Sequence, residues 1–298
     1  MIPLIHHPDY TFELPAKHPF PMAKFQVLRA QLDTLSPQVE WITAPLAKRT
    51  DLARVHTESY LDALLAGTLD AAAERRSGFK WSEALIKRVR LETGGTLSAA
   101  EQALVHGLAL NTAGGTHHAH ADAASGYCLL NDLAVTAAAL LANKRVNRVL
   151  IIDLDVHQGD GTARLFADEP RVFTFSMHAA RNFPTRKATS DLDVELTAGL
   201  NDSAYLAQLQ HWLPVAIERA QPDLVLYDAG VDVHRDDRLG LLSLSNAGLA
   251  ARDSFVLKQV RSQGIALAGV IGGGYDRDIE ALCSRHRCLF EQALSLSH

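Results

Sequence analysis

The sequence predicts an α/β protein: one domain of three layers, α/β/α, built around a mainly parallel sheet. Three observations predict it. Short β-prone runs alternate with longer segments of helical periodicity, the order that gives a parallel sheet covered by helices on both faces. The run Val149 to Ile152 is apolar without a break, the mark of a strand buried on both sides. The polar clusters each follow one of these strands, where open parallel sheets place their ligand crevice. No repeat, linker or low-complexity stretch divides the chain, so residues 1–298 read as a single domain.

In order, Ile2 to Ile5 is the first strand. His6, His7 and His18 lie in a Pro-rich entry segment and read as surface or locally bonded histidines. Met22 to Leu35 has helical spacing, and Val39 to Ile42 is the second strand. A short helix, Glu58 to Ala66, follows His56, which has no acidic neighbour and reads as a packed histidine. Trp81 to His106 is one long helix, with Trp81, Leu85, Val89, Leu97, Ala100 and Leu104 on one face. Gly94 and Gly95 interrupt it at about 1 kcal/mol each relative to alanine, so a neighbour's backbone is expected close by. Leu108 to Asn111 is a short strand, and Thr112 to Gly126 a loop. A helix at Asn131 to Asn143 leads into the central strand.

Arg171 to Ser176 forms a further strand. Asn201 is placed to cap a helix bearing Tyr205, Leu209, Trp212 and Ala216 on one face. Leu224 to Tyr227 is a buried strand ending in Asp228-Ala-Gly-Val-Asp232. A helix spans 246–263, with Gly264 just past its end. Ile265 to Ile271 is the last strand, followed by Gly272-Gly-Gly-Tyr275 and a C-terminal helix.

Composition narrows the function. Hydrophobic residues make up 47% and charged residues 21%, as in ordinary soluble domains. A net charge of −5 argues against a nucleic-acid binder, which would show a basic face. Cys128, Cys283 and Cys288 are too few for a disulfide framework, so a reducing compartment is expected. The N-terminus has no signal-peptide pattern, and no apolar run approaches the ~20 residues of a membrane span. The expected location is the cytoplasm, without a membrane partner.

Residues 149–161 carry the chemistry. Charged groups rarely end a buried strand unless they are paired or bind a metal. Asp153, Asp155 and His157 are spaced i, i+2, i+4 and share one side if the chain stays extended. Asp155 and His157 read as two ligands of a divalent ion. Asp232, after the tight Ala229-Gly230 turn, is the best third. The alternative for Asp232 is a solvated acidic loop with Asp236 and Asp237. His117 and His118 suit general acid–base work, with Asp153 and Asp160 as one orienting carboxylate each. The rival reading makes His117, His118 and His120 a second metal cluster. Tyr275, after its glycine run, suits donation to a developing oxyanion. Together these parts describe metal-assisted hydrolysis of an amide.

Gly114-Gly-Thr-His-His118, Ser125-Gly-Tyr-Cys-Leu-Leu-Asn-Asp132, Ile152-Asp-Leu-Asp-Val-His-Gln-Gly-Asp-Gly161 and Gly272-Gly-Gly-Tyr275 resemble, in order, the motifs of histone deacetylases. The similarity runs from about His18 to Tyr275. Gln158, where many relatives have a second histidine, and the segment Gly230 to Gly240 resemble the class IV branch. The resemblance implies an arginase/deacetylase-like fold, with zinc or Fe(II) on Asp155, His157 and Asp232. It implies His117 and His118 as the acid–base pair, Asp153 and Asp160 behind them, and Tyr275 as oxyanion donor. It further implies an acyl-lysine channel in which Gly126 offers its carbonyl and Tyr127 and Phe183 form the walls. A structural potassium is implied at Asp153, Asp155, His157, Ser176 and Met177, mainly through backbone oxygens. Residues 182–190 depart from the family's usual glycine-rich turn. Nothing in the sequence matches the extra carboxylates with which arginases hold two manganese ions.

The expected substrate is therefore an acyl-lysine peptide or an acylated small amine. Two other functions stand beside this one: a binuclear-metal ureohydrolase of the same fold, and a non-catalytic acyl-amine reader.

Overall fold

A computed structural model describes residues 1–35 and 38–296. Its eight strands are β1 (Ile2–His6), β2 (Val39–Thr43), β3 (Leu108–Asn111), β4 (Val149–Asp153), β5 (Val172–Ala179), β6 (Leu192–Leu196), β7 (Leu224–Asp228) and β8 (Ala266–Val270). They form one sheet in the order β2-β1-β3-β8-β7-β4-β5-β6. Every pairing between them is parallel. Central β4 and β7 are buried along their whole length, which is why they read as unbroken apolar runs. Edge strand β6 is the one the sequence reading lacks. It is only partly buried and alternates apolar with acidic residues, so no unbroken apolar run marks it.

The helices are α1 (Lys24–Leu32), α2 (Arg49–Leu52), α3 (Glu58–Ala66), α4 (Ala71–Ser77), α5 (Glu83–His106), α6 (Asp132–Ala142), α7 (Asp160–Leu165), α8 (Asp202–Ala220), α9 (Asn246–Arg261) and α10 (Ile279–Ser295). Asn201 caps α8 as expected, accepting the Ala204 N–H at 3.1 Å. Ser82 caps α5, so that helix begins after Trp81, whose indole instead donates to the Leu64 carbonyl at 2.9 Å. A side chain at Gly94 would strike the Pro45 carbonyl, and one at Gly95 the Tyr10 hydroxyl. The Pro45 backbone is the close approach that the glycine pair predicted; at Gly95 the neighbours are side chains. None of the described helices is long and apolar enough to cross a membrane.

Strands β3, β8, β7 and β4 are consecutive neighbours in the middle of the sheet. Parallel pairing puts all four C-terminal ends on one edge. The loops after them carry His117-His118, Tyr275, Asp232 and Asp155-His157, so the strand order alone brings the four clusters together.

Candidate active site

The chain turns as it leaves β4. The Asp155 N–H donates to Asp153 Oδ1 at 3.1 Å and the His157 N–H to Asp155 Oδ1 at 2.9 Å. This local bonding replaces the extended path that would have put Asp153, Asp155 and His157 on one side. Asp153 therefore faces His117, while Asp155 and His157 face Asp232.

His157 Nδ1 lies 2.9 Å from Asp155 Oδ1 and 3.2 Å from Asp232 Oδ2. Ligand atoms of these three buried residues fall within 4.8 Å of one another. Asp232 is fixed by the Val156 N–H on Oδ1 at 2.8 Å, and the Gly273 N–H donates to Asp155 Oδ2 at 2.8 Å. Asp232 Oδ2 is buried and has no hydrogen-bond partner among the described residues. A Cβ at Gly273 would collide with both carboxylates, so the glycine leaves the pocket open. Burial opposes charge on His157, but the hydrogen bond to Asp155 and the facing Asp232 carboxylate outweigh it and raise the ring to about 10. One nitrogen and two carboxylates, with an orphaned buried oxygen, fit a divalent cation.

The two histidines stand beside this pocket. His117 Nδ1 is 2.7 Å from Asp153 Oδ2, and His118 Nδ1 is 2.8 Å from Asp160 Oδ1. Their Nε2 atoms are 3.1 Å apart. With each Nδ1–H given to a carboxylate, that last contact requires one more proton, so the pair carries one positive charge. Burial resists a charge on His117, but Asp153, Asp155 and Asp228 overcome it and hold the ring well above the usual histidine range. Burial, then the charge on His117, pushes His118 down to about 3. His120 lies by the other oxygen of Asp160, with Nε2 3.4 Å from Oδ2. The three histidines thus serve separate bonds, and the metal-competent groups among the described residues do not include His118 or His120.

Groups outside the predicted set hold this arrangement. Asp132 accepts the N–H groups of Gly115 (3.1 Å) and Thr116 (2.8 Å), which shapes the turn before the histidines. The Asn131 amide donates to the Ala119 carbonyl at 3.2 Å, while Asn131 Oδ1 caps α6. His56 accepts the Asn131 N–H on Nε2 at 3.0 Å and bonds the His120 carbonyl through Nδ1 at 2.9 Å. Asp237, assigned above only to an acidic loop, accepts the Tyr275 N–H at 2.7 Å. Asn131 and Asp132 close a motif visible in the sequence; His56 and Asp237 had no sequence signal, because their partners are distant in the chain. Asp228 sits opposite Asp153 in the β4–β7 register. It is fully buried, and neither of its oxygens has a hydrogen-bond partner among the described residues. Burial, then Asp153, pushes its carboxyl well above the usual range.

An aromatic channel leads to these groups. Tyr127 lies 5.4 Å from Phe20, 5.6 Å from Phe79 and 5.8 Å from Tyr275, ring centre to ring centre. Phe183 stands edge-on to His118 at 4.8 Å and is 42% exposed, which places it at the mouth. Gly126, at φ +52°, lies between the His118 and Phe183 rings where a side chain has no room. Burial, then Asp155 and Asp232, raises the Tyr275 phenol well above its normal value, so it keeps its proton. Lys24, Arg88 and Glu92 join His117, His118, Tyr127, Asp155 and Tyr275 in lining a space of about 30 Å³. Lys24 donates to the Gly272 carbonyl at 3.2 Å, and Arg88 pairs with Glu92 through two bonds of 3.0 Å.

The histone deacetylase domain matches residues 18–289. The chain belongs to the histone deacetylase family. An uncharacterized protein of Picosynechococcus sp. is 47% identical over 98% of both chains. Histone deacetylase 2 of Arabidopsis thaliana is 33% identical, over 87% of this chain and 70% of its own. A histone deacetylase homologue from Aquifex aeolicus superposes with a TM-score of 0.83 at 28% identity, covering 99% of this chain and 84% of that one. Another solved structure with the same score and coverage is a histone deacetylase homologue complexed with SAHA. Family membership makes the eight-stranded parallel sheet an arginase/deacetylase fold, as the motifs implied. The family is one of hydrolases.

Proposed function

We propose that the protein is a zinc-dependent deacylase that removes a short acyl group from the ε-amine of lysine or a similar amine. One observation carries the reading. Behind four adjacent strands, the Asp155–His157–Asp232 cluster meets two histidines that each have their own carboxylate. Asp155, His157 and Asp232 would hold the ion, and the same donors suit Fe(II). A bound divalent ion supplies Lewis acidity and makes water a nucleophile near neutral pH.

The chain's own groups do the rest. Tyr127 and Phe183 enclose the aliphatic stem and exclude water. The Gly126 carbonyl accepts the amide N–H. Tyr275 donates its phenolic proton in a hydrogen bond to the oxygen that gains charge. Within the His117–His118 pair, the neutral ring takes the proton of the attacking water, and the pair returns a proton to the amine as the C–N bond breaks. Asp153 and Asp160 keep both Nε2 atoms turned toward the reacting centre. The small volume of the site and the charged Lys24, Arg88 and Glu92 in its lining support an acetyl-sized acyl group over a long alkyl chain. Gln158, which bonds Ala188 and Asp193, anchors the unusual 182–190 segment and supports the class IV assignment.

Potassium suits the loop after β4. No N–H among the described residues donates to the carbonyl oxygens of Asp155 or His157, and Ser176 lies opposite Asp153 in the β4–β5 register. Met177 and Asp153 would complete that shell.

A panel of fluorogenic acyl-lysine peptides of increasing chain length tests the activity on zinc-loaded protein. Fastest turnover on the acetyl peptide is expected. No turnover on any member, or no stoichiometric divalent metal, would sink the deacylase and leave a non-catalytic reader.

One observation favours a second reading, a binuclear-metal ureohydrolase. His117, Asp153 and Asp228 also bring ligand atoms within 4.8 Å of one another. Two ions per chain together with guanidine hydrolysis would decide for it.

A further inference from the structure

Resting on the deacylase reading, we propose that Arg75, Arg76 and Arg238 form an anion-binding lip around the channel. Preferred substrates then carry a carboxylate near the α-carbon of the acylated lysine, at the outer end of the channel.

The first two arginines end α4, and that helix end is tied to the channel wall. The Gly126 N–H donates to the Arg76 carbonyl at 3.1 Å, and the Tyr127 N–H to the Ser77 carbonyl at 3.0 Å. Arg75 and Arg76 line the same mouth as His118, His157 and Tyr275. Arg238 comes from the loop after β7, beside Leu239, which lines that mouth too. Its charge reaches the Tyr127 hydroxyl, where it opposes the effect of burial. All three arginines are exposed, and none is in a salt bridge among the described residues.

The neighbouring acids are committed elsewhere. Asp70, whose charge meets those of Arg75 and Arg76, accepts the Ala73 N–H at 2.7 Å as the cap of α4. Glu74 accepts the Trp81 N–H at 3.0 Å, Asp236 lies 3.4 Å from Arg285, and Asp237 accepts the Tyr275 N–H at 2.7 Å. No Asp or Glu lines the mouth. A helix C-terminus accounts for arginines in its own last turn. It does not account for a third carried on another loop, next to mouth-lining Leu239, whose charge acts on Tyr127.

This local excess of positive charge runs against a chain of net charge −5. Three unneutralised guanidinium groups at a concave mouth repel one another and attract an anion, and their fork matches a carboxylate. The carboxylate has two sources: the α-carboxylate of the acylated lysine itself, or an acidic residue beside it in a peptide.

Metal-loaded, full-length protein is assayed on four matched substrates. They are Nα-blocked acetyl-lysine with a free carboxylate, its amide, and peptides with Asp or with Lys on both sides of acetyl-lysine. The free acid and the Asp peptide should exceed the amide and the Lys peptide in kcat/KM by about 10-fold, mostly through KM, and the gap should narrow in high salt. Preference for the free acid alone assigns the lip to the α-carboxylate, and preference for the Asp peptide alone to a flanking acid. An R75Q/R76Q/R238Q variant should lose the preference while turning over the neutral amide at the wild-type rate. Equal kcat/KM across the wild-type series overturns the lip, as does a preference that survives in the triple variant. Equilibrium binding of the same four ligands reads the lip separately from chemistry. If none is turned over but the acidic ligands still bind more tightly through the arginines, the deacylase reading fails and the lip stands.

Discussion

The carboxylate of Asp237 accepts the backbone N–H of Tyr275 at 2.7 Å. It also accepts the N–H groups of Leu239 (2.8 Å) and Gly240 (3.0 Å), tying the loop after β7 to the loop after β8. Tyr275 follows three glycines, and this bond is what fixes its backbone. Tyr275→Phe should lower kcat by about 10²-fold, the scale of one lost oxyanion donor, with metal content unchanged. Asp237→Asn should lower kcat by about 10-fold with KM for a short substrate little altered, because it loosens the phenol without removing it. Wild-type turnover in Tyr275→Phe removes that residue from the mechanism.

The two histidines differ in what opposes their charge, and their carboxylates should differ in effect. Asp153→Asn removes the strongest support for a charge on His117, so the pair should give up its extra proton at lower pH. The alkaline limb of the kcat/KM profile should shift to lower pH by about one unit or more. Asp160→Asn acts on the neutral ring and should reduce kcat by about 10²-fold without that shift. Identical pH profiles for the two variants would contradict the division of labour.

Metal content separates the two hydrolase readings. One divalent ion per chain is expected, lost in Asp155→Ala and retained in Asp228→Asn. Chelation should lower Tm, because an ion that binds only the folded state stabilises it. A count that falls from two to one in Asp228→Asn would instead place an ion at His117, Asp153 and Asp228.

His56 gives a pH dependence away from the metal pocket. Burial lowers its pKa from 6.5 to about 4. Its Nε2 must stay unprotonated to accept the Asn131 N–H. The folded state therefore binds fewer protons than the unfolded chain between these values. Its contribution is fully present above pH 6.5 and lost as pH falls to about 4. The loss is at most about 3.5 kcal/mol, by the usual 1.4 kcal/mol per pH unit. Denaturant melts from pH 7 to 4 should show it, and His56→Gln should flatten part of that slope at lower overall stability. An equal slope in the variant assigns the acid sensitivity to other buried histidines.

Much of this protein is legible in its sequence. Periodicity marks the central strands because β4 and β7 are buried on both faces and have no polar side to confuse the pattern. Edge strand β6 escapes for the opposite reason. The motifs around His117-His118, Asp155-His157 and Tyr275 identify the family and the kind of chemistry, since their residues lie within a few positions of one another and local spacing carries the signal.

What the sequence cannot hold is the pairing of side chains far apart in the chain. Only the strand order β3-β8-β7-β4 places the four clusters on one edge. Only the turn after Asp153 sends that carboxylate to His117 instead of toward the ligand pocket. The roles of Asp237, His56, Asp228 and the three arginines rest on contacts or neighbours contributed by other elements. Chain chemistry determined which groups the protein owns. Tertiary structure decided which of them share a hydrogen bond, a pocket or a field, because those depend on separations of a few ångströms between loops that parallel strands bring together.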